Sequence, residues 1–174
     1  LESKEIPVYA LKNWHRQGTD SAIIPFAHKI NEGILDEGLL NSKEDLEFIS
    51  CDDGDIIKKI EKICKNYNSA ELQVLAPMYK TRNGIDMLNN HLQKLWNAKS
   101  QVKKELEGNG VVYRENDKVI QLANMKDESV FNGDIGIIDR IKLLGSKELY
   151  IDYDGKIVKY TISMISNFTL AYAI

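Results

Sequence analysis

Apolar positions follow two regimes along the chain. Through residues 1–98, short apolar runs alternate with stretches whose apolar residues return every three or four positions, the spacing of one helix face. Residues 6–11 form the first run. After a polar break, Asp20-Ser21 can cap a helix with the stripe Ile23, Phe26, Ala27 and Ile30, with Pro25 near its first turn and residues 31–33 as its stop. Residues 46–51 are the second run, Asp52-Asp53-Gly54 the turn, and Ile56, Ile57, Ile60, Ile63, Cys64 and Tyr67 the inward face of a second helix. Residues 72–76, apolar but for Gln73, read as a strand without alternation, the mark of a strand covered on both faces. A third helix is predicted over about residues 84–97, with Ile85, Leu88, Leu92, Leu95 and Trp96 inward. Strand–helix alternation of this kind predicts a parallel sheet with crossover helices.

The pattern changes near residue 100. Beyond a polar stretch at 99–110, β-type runs follow at close spacing over 111–114, 118–122, 134–141, 148–153 and 156–162, with turns at Asn109-Gly110, Asn132-Gly133 and Asp154-Gly155. Five short strands in so few residues predict a small barrel or sandwich. Residues 168–174 are apolar again and read as a strand returning to the first sheet. The predicted fold class is therefore α/β: a parallel sheet with crossover helices, residues 1–98 and 165–174, interrupted by an all-β barrel at 110–163.

Length and composition restrict what this architecture can do. A chain of 174 residues with 43% apolar content can bury a core without a disulfide or metal staple. No apolar run approaches the ~20 residues of a membrane span, and no signal peptide is legible, so a cytoplasmic chain without a membrane partner is expected. Cys51 and Cys64 form no CxxC pair and the three histidines lack ligand spacing, so no metal site is expected. With 23 basic against 26 acidic residues, bulk cationic attraction to nucleic acid is excluded, while a local groove is not. The basic residues are 19 Lys and four Arg (Arg16, Arg82, Arg114, Arg140), so each guanidinium is a candidate for bidentate recognition.

Three segments carry candidate chemistry. Arg16-Gln17 follows a predicted strand, where α/β sheets place ligands. Pro77 breaks the 72–76 strand and sets Lys80 in the following loop, before a helix whose first N–H groups would be open to a phosphate. Gln121, Asn124, Asn132-Gly133-Asp134 and Gly136 form the third group. Composition alone leaves Arg16 as an ion-pairing surface residue, Lys80 as a solvated lysine and the third group as turn chemistry. No Gly-rich phosphate loop is present, so a self-sufficient nucleotide hydrolase is excluded.

In order along the chain, these segments resemble one family. Arg16-Gln17 with Ser21-Ala22-Ile23-Ile24 and residues 27–33 is similar to the motif IV segment of RecD-like superfamily 1 DNA helicases, related to the exodeoxyribonuclease V alpha subunit. Residues 74–78 with Gly84 and Leu88-Asn89 resemble the family's next block, residues 117–121 and 131–136 its inserted Src-homology-3-like barrel, and residues 170–174 the strand leading into motif V. His15 stands where the family usually has an aromatic residue. The resemblance implies a piece of the second RecA-like domain (phosphate-loop NTPase type), incomplete, carrying its barrel, and an ATP-dependent 5′→3′ helicase acting in DNA recombination and repair. It implies that Arg16 senses the γ-phosphate with Gln17 orienting it, and that Lys80, Asn89, His28, Asn124 and Asn132 contact DNA. The implied cofactors, ATP and Mg²⁺, belong to the full-length enzyme, with none expected on this chain alone. The implied partners are single-stranded DNA, the first RecA-like domain and other exodeoxyribonuclease subunits. The alternative class is a non-enzymatic adaptor whose barrel binds a protein.

Overall fold

A computed structural model describes residues 21–34 and 37–174, which divide into two compact units at residue 50. The first run (residues 6–11) and the Arg16-Gln17 pair lie outside the described residues. In the first unit, α1 (Ile23–Asn31) forms where the 3.6-residue period predicts it. Its start is held by Ser21 Oγ, which accepts from the Ile23 N–H (3.2 Å), and by Asp45 Oδ1, which accepts from the Ala22 N–H (3.0 Å). The expected stripe is not covered: no residue of α1 is buried, and Ile30 is half exposed. Residues 46–51 are not a strand. Only Leu46 makes a bridge, to Lys43, and Phe48 and Ile49 are exposed. An apolar run without a paired neighbour has no ladder to satisfy its backbone groups, and these residues stay irregular.

The second unit holds two helices and seven strands. In α2 (Ile56–Cys64), Ile57, Ile60 and Cys64 face the core, whereas Ile63 and Tyr67 face solvent. Burial, and secondarily the Glu61 charge, push the Cys64 thiol up from its ordinary range. Residues 72–76 run extended, but Leu75 is 74% exposed, so one face rather than two is covered. The expected parallel sheet is reduced among the described residues to the bridge Val74↔Ala173, with bonds from Val74 N–H to Tyr172 O (3.4 Å), Ile174 N–H to Val74 O (3.1 Å) and Ala76 N–H to Ile174 O (3.0 Å). The third helix, α3 (Ile85–Trp96), buries Leu88 and Leu92 against this core.

The β part opens with a hairpin of β1 (Glu105–Gly108) and β2 (Val111–Arg114), closed by Asn109-Gly110, both at positive φ as a two-residue type I′ turn requires. β1 lies inside the stretch read as polar. The other strands are β3 (Lys118–Gln121), β4 (Ile135–Lys142), β5 (Glu148–Tyr153), β6 (Lys156–Thr161) and β7 (Phe168–Leu170), antiparallel in the order β6-β5-β4-β3-β7. Asp154-Gly155 closes β5–β6 with positive φ at both residues, as predicted. The apolar segment 168–174 divides. Its first half, β7, pairs with β3 inside the barrel sheet, and only its second half returns beside residues 74–76, so the barrel sheet extends past residue 163. Phe168 explains the division: its ring packs on Tyr113 (4.9 Å) and Tyr160 (5.0 Å), which holds it inside the barrel. No described helix is long and apolar enough to cross a membrane.

Candidate nucleic-acid interface

The loop from Pro77 to Gly84 is built from its backbone outwards. Residues 74–76 are paired with the chain's last residues, and Pro77 turns the chain away. Asn83 then anchors the far side, its Nδ2 donating to Asp53 O (2.9 Å) and Oδ1 (2.7 Å) at the head of α2. Gly84 closes the loop. A Cβ there would lie 2.4 Å from Tyr79 O and 2.8 Å from Met78 O, an approach only glycine allows. Those two carbonyls accept from the Asp86 N–H (3.2 Å) and Ile85 N–H (2.9 Å), so the first donors of α3 are already satisfied by the loop. The expectation of open N–H groups for a phosphate is overturned by this cap, and Asp86 adds a negative charge in the same turn.

The cap projects the loop's side chains into solvent. Met78 and Tyr79 are 51% and 66% exposed, and Lys80 is exposed without a hydrogen-bond or ion-pair partner among the described residues. Arg82 lies along the Gly54 backbone, its Nη2 3.4 Å from where a Cβ would stand. Beneath the loop is a cleft of about 390 Å³, floored by Ile56, Ile60 and Leu88. An ammonium and a guanidinium beside exposed apolar and aromatic side chains suit a strand that offers phosphates and unstacked bases.

The other predicted contacts are dispersed. Asn89 is not on this surface. It is 6% exposed and its amide is fully committed, Nδ2 to Ala173 O (2.9 Å) and Leu170 O (3.3 Å) and Oδ1 from the Ala173 N–H (2.9 Å), so it holds the chain's last segment and has no donor left for DNA. Asn124 and Asn132 are exposed on one barrel loop, joined by the Asn132 N–H to Asn124 Oδ1 (2.9 Å), with Phe131 47% exposed between them. Gln121 is buried, its Oε1 accepting from Tyr160 (2.8 Å) and Tyr153 (3.1 Å) and its Nε2 donating to Ala123 O (2.7 Å). It is a core residue, and desolvation drives the Tyr153 phenol far above its ordinary range. His28 belongs to the first unit, half-buried on α1.

The apolar period did not reveal a second polar group. Asp117 is fully buried, its Oδ1 accepting from Asn97 Nδ2 (2.6 Å) and the Tyr172 hydroxyl (2.9 Å), and its Oδ2 from Gln93 Nε2 (2.6 Å) and the Arg114 N–H (2.6 Å). Desolvation raises its carboxyl above the usual range against the pull of these four donors. Asn89, Gln93 and Asn97 at four-residue spacing were the only signal available in the sequence.

Comparison with known proteins agrees with the resemblance. Residues 88–153 match the family described as the SH3 domain of ATP-dependent RecD-like DNA helicases. The ATP-dependent RecD2 DNA helicase of Deinococcus radiodurans is 30% identical over 169 residues, 97% of this chain. The chain spans 22% of that relative's length. Among solved structures, Pif1 of a Bacteroides species bound to single-stranded DNA aligns with a TM-score of 0.43 at 14% identity, and its complex with ADP-AlF4 with 0.39 at 15%. Each covers 87% of this chain and 38% of the other. The chain is thus similar along nearly its whole length to a RecD-like DNA helicase, and its residues 88–153 match the SH3 domain of that family.

Proposed function

We propose that the chain works within an ATP-dependent DNA helicase of 5′→3′ polarity, as part of the second RecA-like domain together with its inserted barrel, in the cytoplasm and in DNA recombination and repair. The observation that carries this reading is the 30% identity to a DNA helicase along 97% of the chain. It favours the helicase over the adaptor, for which a resemblance limited to the barrel would suffice. In this reading the α/β part is residues 1–98 with the returning residues 172–174, and Arg16, oriented by Gln17, faces the nucleotide. Lys80 meets a phosphate of single-stranded DNA, with Asn124, Asn132 and His28 as further contacts. The chain's own residues do not fit ATP and Mg²⁺ by themselves. The sequence has no Gly-rich phosphate loop, and no three His, Cys, Asp or Glu side chains among the described residues group to hold a metal. Those groups are assigned to the first RecA-like domain.

Anisotropy of a labelled oligothymidylate, titrated with the chain at several salt concentrations, tests the strand contact. Affinity is expected at roughly tens of micromolar or weaker, falling with salt by about 0.7 in log–log slope per phosphate contacted. Lys80→Ala should flatten the slope by close to one contact. An unchanged slope removes Lys80 from the strand track, and binding that ignores salt returns the barrel to the adaptor reading.

A further inference from the structure

Asn89 and Gln93 on the buried side of α3 and Asn97 at its C-cap succeed one another at four-residue spacing, each 6% exposed or less. Buried amides are tolerated only when their donors and acceptors are satisfied, and here each is spent outside the helix. Asn89 grips Leu170 and Ala173. Gln93 donates to Val112 O in β2 (2.8 Å) and to Asp117, and Asn97 to Glu115 O (3.0 Å) and Asp117. Asp117 also takes the hydroxyl of Tyr172. The neighbouring cations are engaged elsewhere. Arg114 pairs with Glu105 (2.6 Å) and reaches Asn97 O, while Lys118 Nζ donates to Ser69 O (2.9 Å) and Leu72 O (3.3 Å). Asp117 therefore has no ion-pair role, and its four donors come from α3 and its C-cap, from the last residue of β2 and from the chain's last segment.

We propose that this cluster is a latch, with Asp117 as its junction and positioning residue, that holds the barrel, α3 and residues 170–174 in one fixed orientation so that they turn as one body. Apolar faces can slide over each other at small cost, whereas hydrogen bonds of set length and direction cannot be kept during rotation. The latch is separate from the barrel's internal polar network of Gln121, Tyr153 and Tyr160, which crosses no such boundary. It does not depend on the helicase reading.

Two spin labels test it, on Leu144→Cys in the barrel and Lys94→Cys on the exposed side of α3, with Cys51→Ser removing the exposed native thiol. Pulsed electron–electron resonance should give one narrow distance. Asp117→Asn turns an acceptor into a donor against its neighbours, and Tyr172→Phe removes a single bond. Both should broaden the distribution and speed amide exchange at Ala173 and Ile174 by about tenfold, leaving Ile151 and Val158 within about twofold of the parent. Tyr153→Phe, which breaks a bond inside the barrel, should leave the distance narrow. The proposal is overturned if the distance stays narrow in folded Asp117→Asn and Tyr172→Phe, if Tyr153→Phe broadens it equally, or if Ile151 loses protection together with Ala173. Should Asp117→Asn not fold, Tyr172→Phe decides alone.

Discussion

Replacing Gly84 by alanine probes the loop that presents Lys80. The backbone there (φ −84°, ψ 174°) suits any residue, so the penalty is contact alone. A Cβ 2.4 Å from Tyr79 O and 2.8 Å from Met78 O must push both carbonyls back by about 1 Å to reach ordinary separation. That displacement breaks or lengthens the bonds these carbonyls accept from Asp86 and Ile85, worth about 1 kcal/mol each. Overpacking adds about 1–3 kcal/mol, and the stiffer unfolded chain returns about 0.4–1 kcal/mol. The expected net loss is about 2–4 kcal/mol, roughly 5–15 °C in Tm for a chain of this size. Urea unfolding followed by tryptophan fluorescence measures it. Gly145→Ala is the contrast, at φ +74° with nothing within 4 Å of its Cβ, where only the left-handed backbone costs, about 1 kcal/mol. A Gly84→Ala variant within about 0.5 kcal/mol of the parent, with the Ile85 and Asp86 amides still protected, would refute the reasoning.

The remaining predictions concern the core and its charges. Leu92, with no exposed surface, should cost about 2–5 kcal/mol when cut to alanine, read by the same unfolding experiment. Glu105 is held below the usual carboxylate range by Lys99 first and then by Arg114. A depressed folded pKa means that its stabilisation is present above the unfolded value of about 4.3 and lost as pH falls through the folded one. Glu105→Gln should therefore reduce the steepness of acid unfolding below about pH 4, and an unchanged acid limb would show that this pair carries none of it.

Much of the fold was legible because its causes are local. The hairpins at Asn109-Gly110 and Asp154-Gly155 need positive φ at both residues, and the period of α3 needs only its own apolar residues. β1 was missed because Glu105-Leu106-Glu107-Gly108 carries one buried apolar side chain, and its pairing shows only opposite β2, where Glu105 meets Arg114. At the candidate site, the sequence indicated Lys80 and its position beyond Pro77. It did not show the carbonyl cap on α3, which depends on how closely Gly84 lets the loop approach. Asn89 read as a contact residue because an amide looks the same in sequence whether its partner is a phosphate or the backbone of Ala173.

The helices, the two hairpin turns and the succession β2–β6 follow from the sequence, since propensity, period and turn chemistry act within a few residues. Tertiary structure alone decided the rest. Residues 72–76 are covered on one face rather than two, and residues 168–174 are shared between the barrel and the edge beside Val74. It also made the polar stripe of α3 part of the core, because Gln93 and Asn97 can be buried only where Asp117, some twenty residues further on, closes their hydrogen bonds.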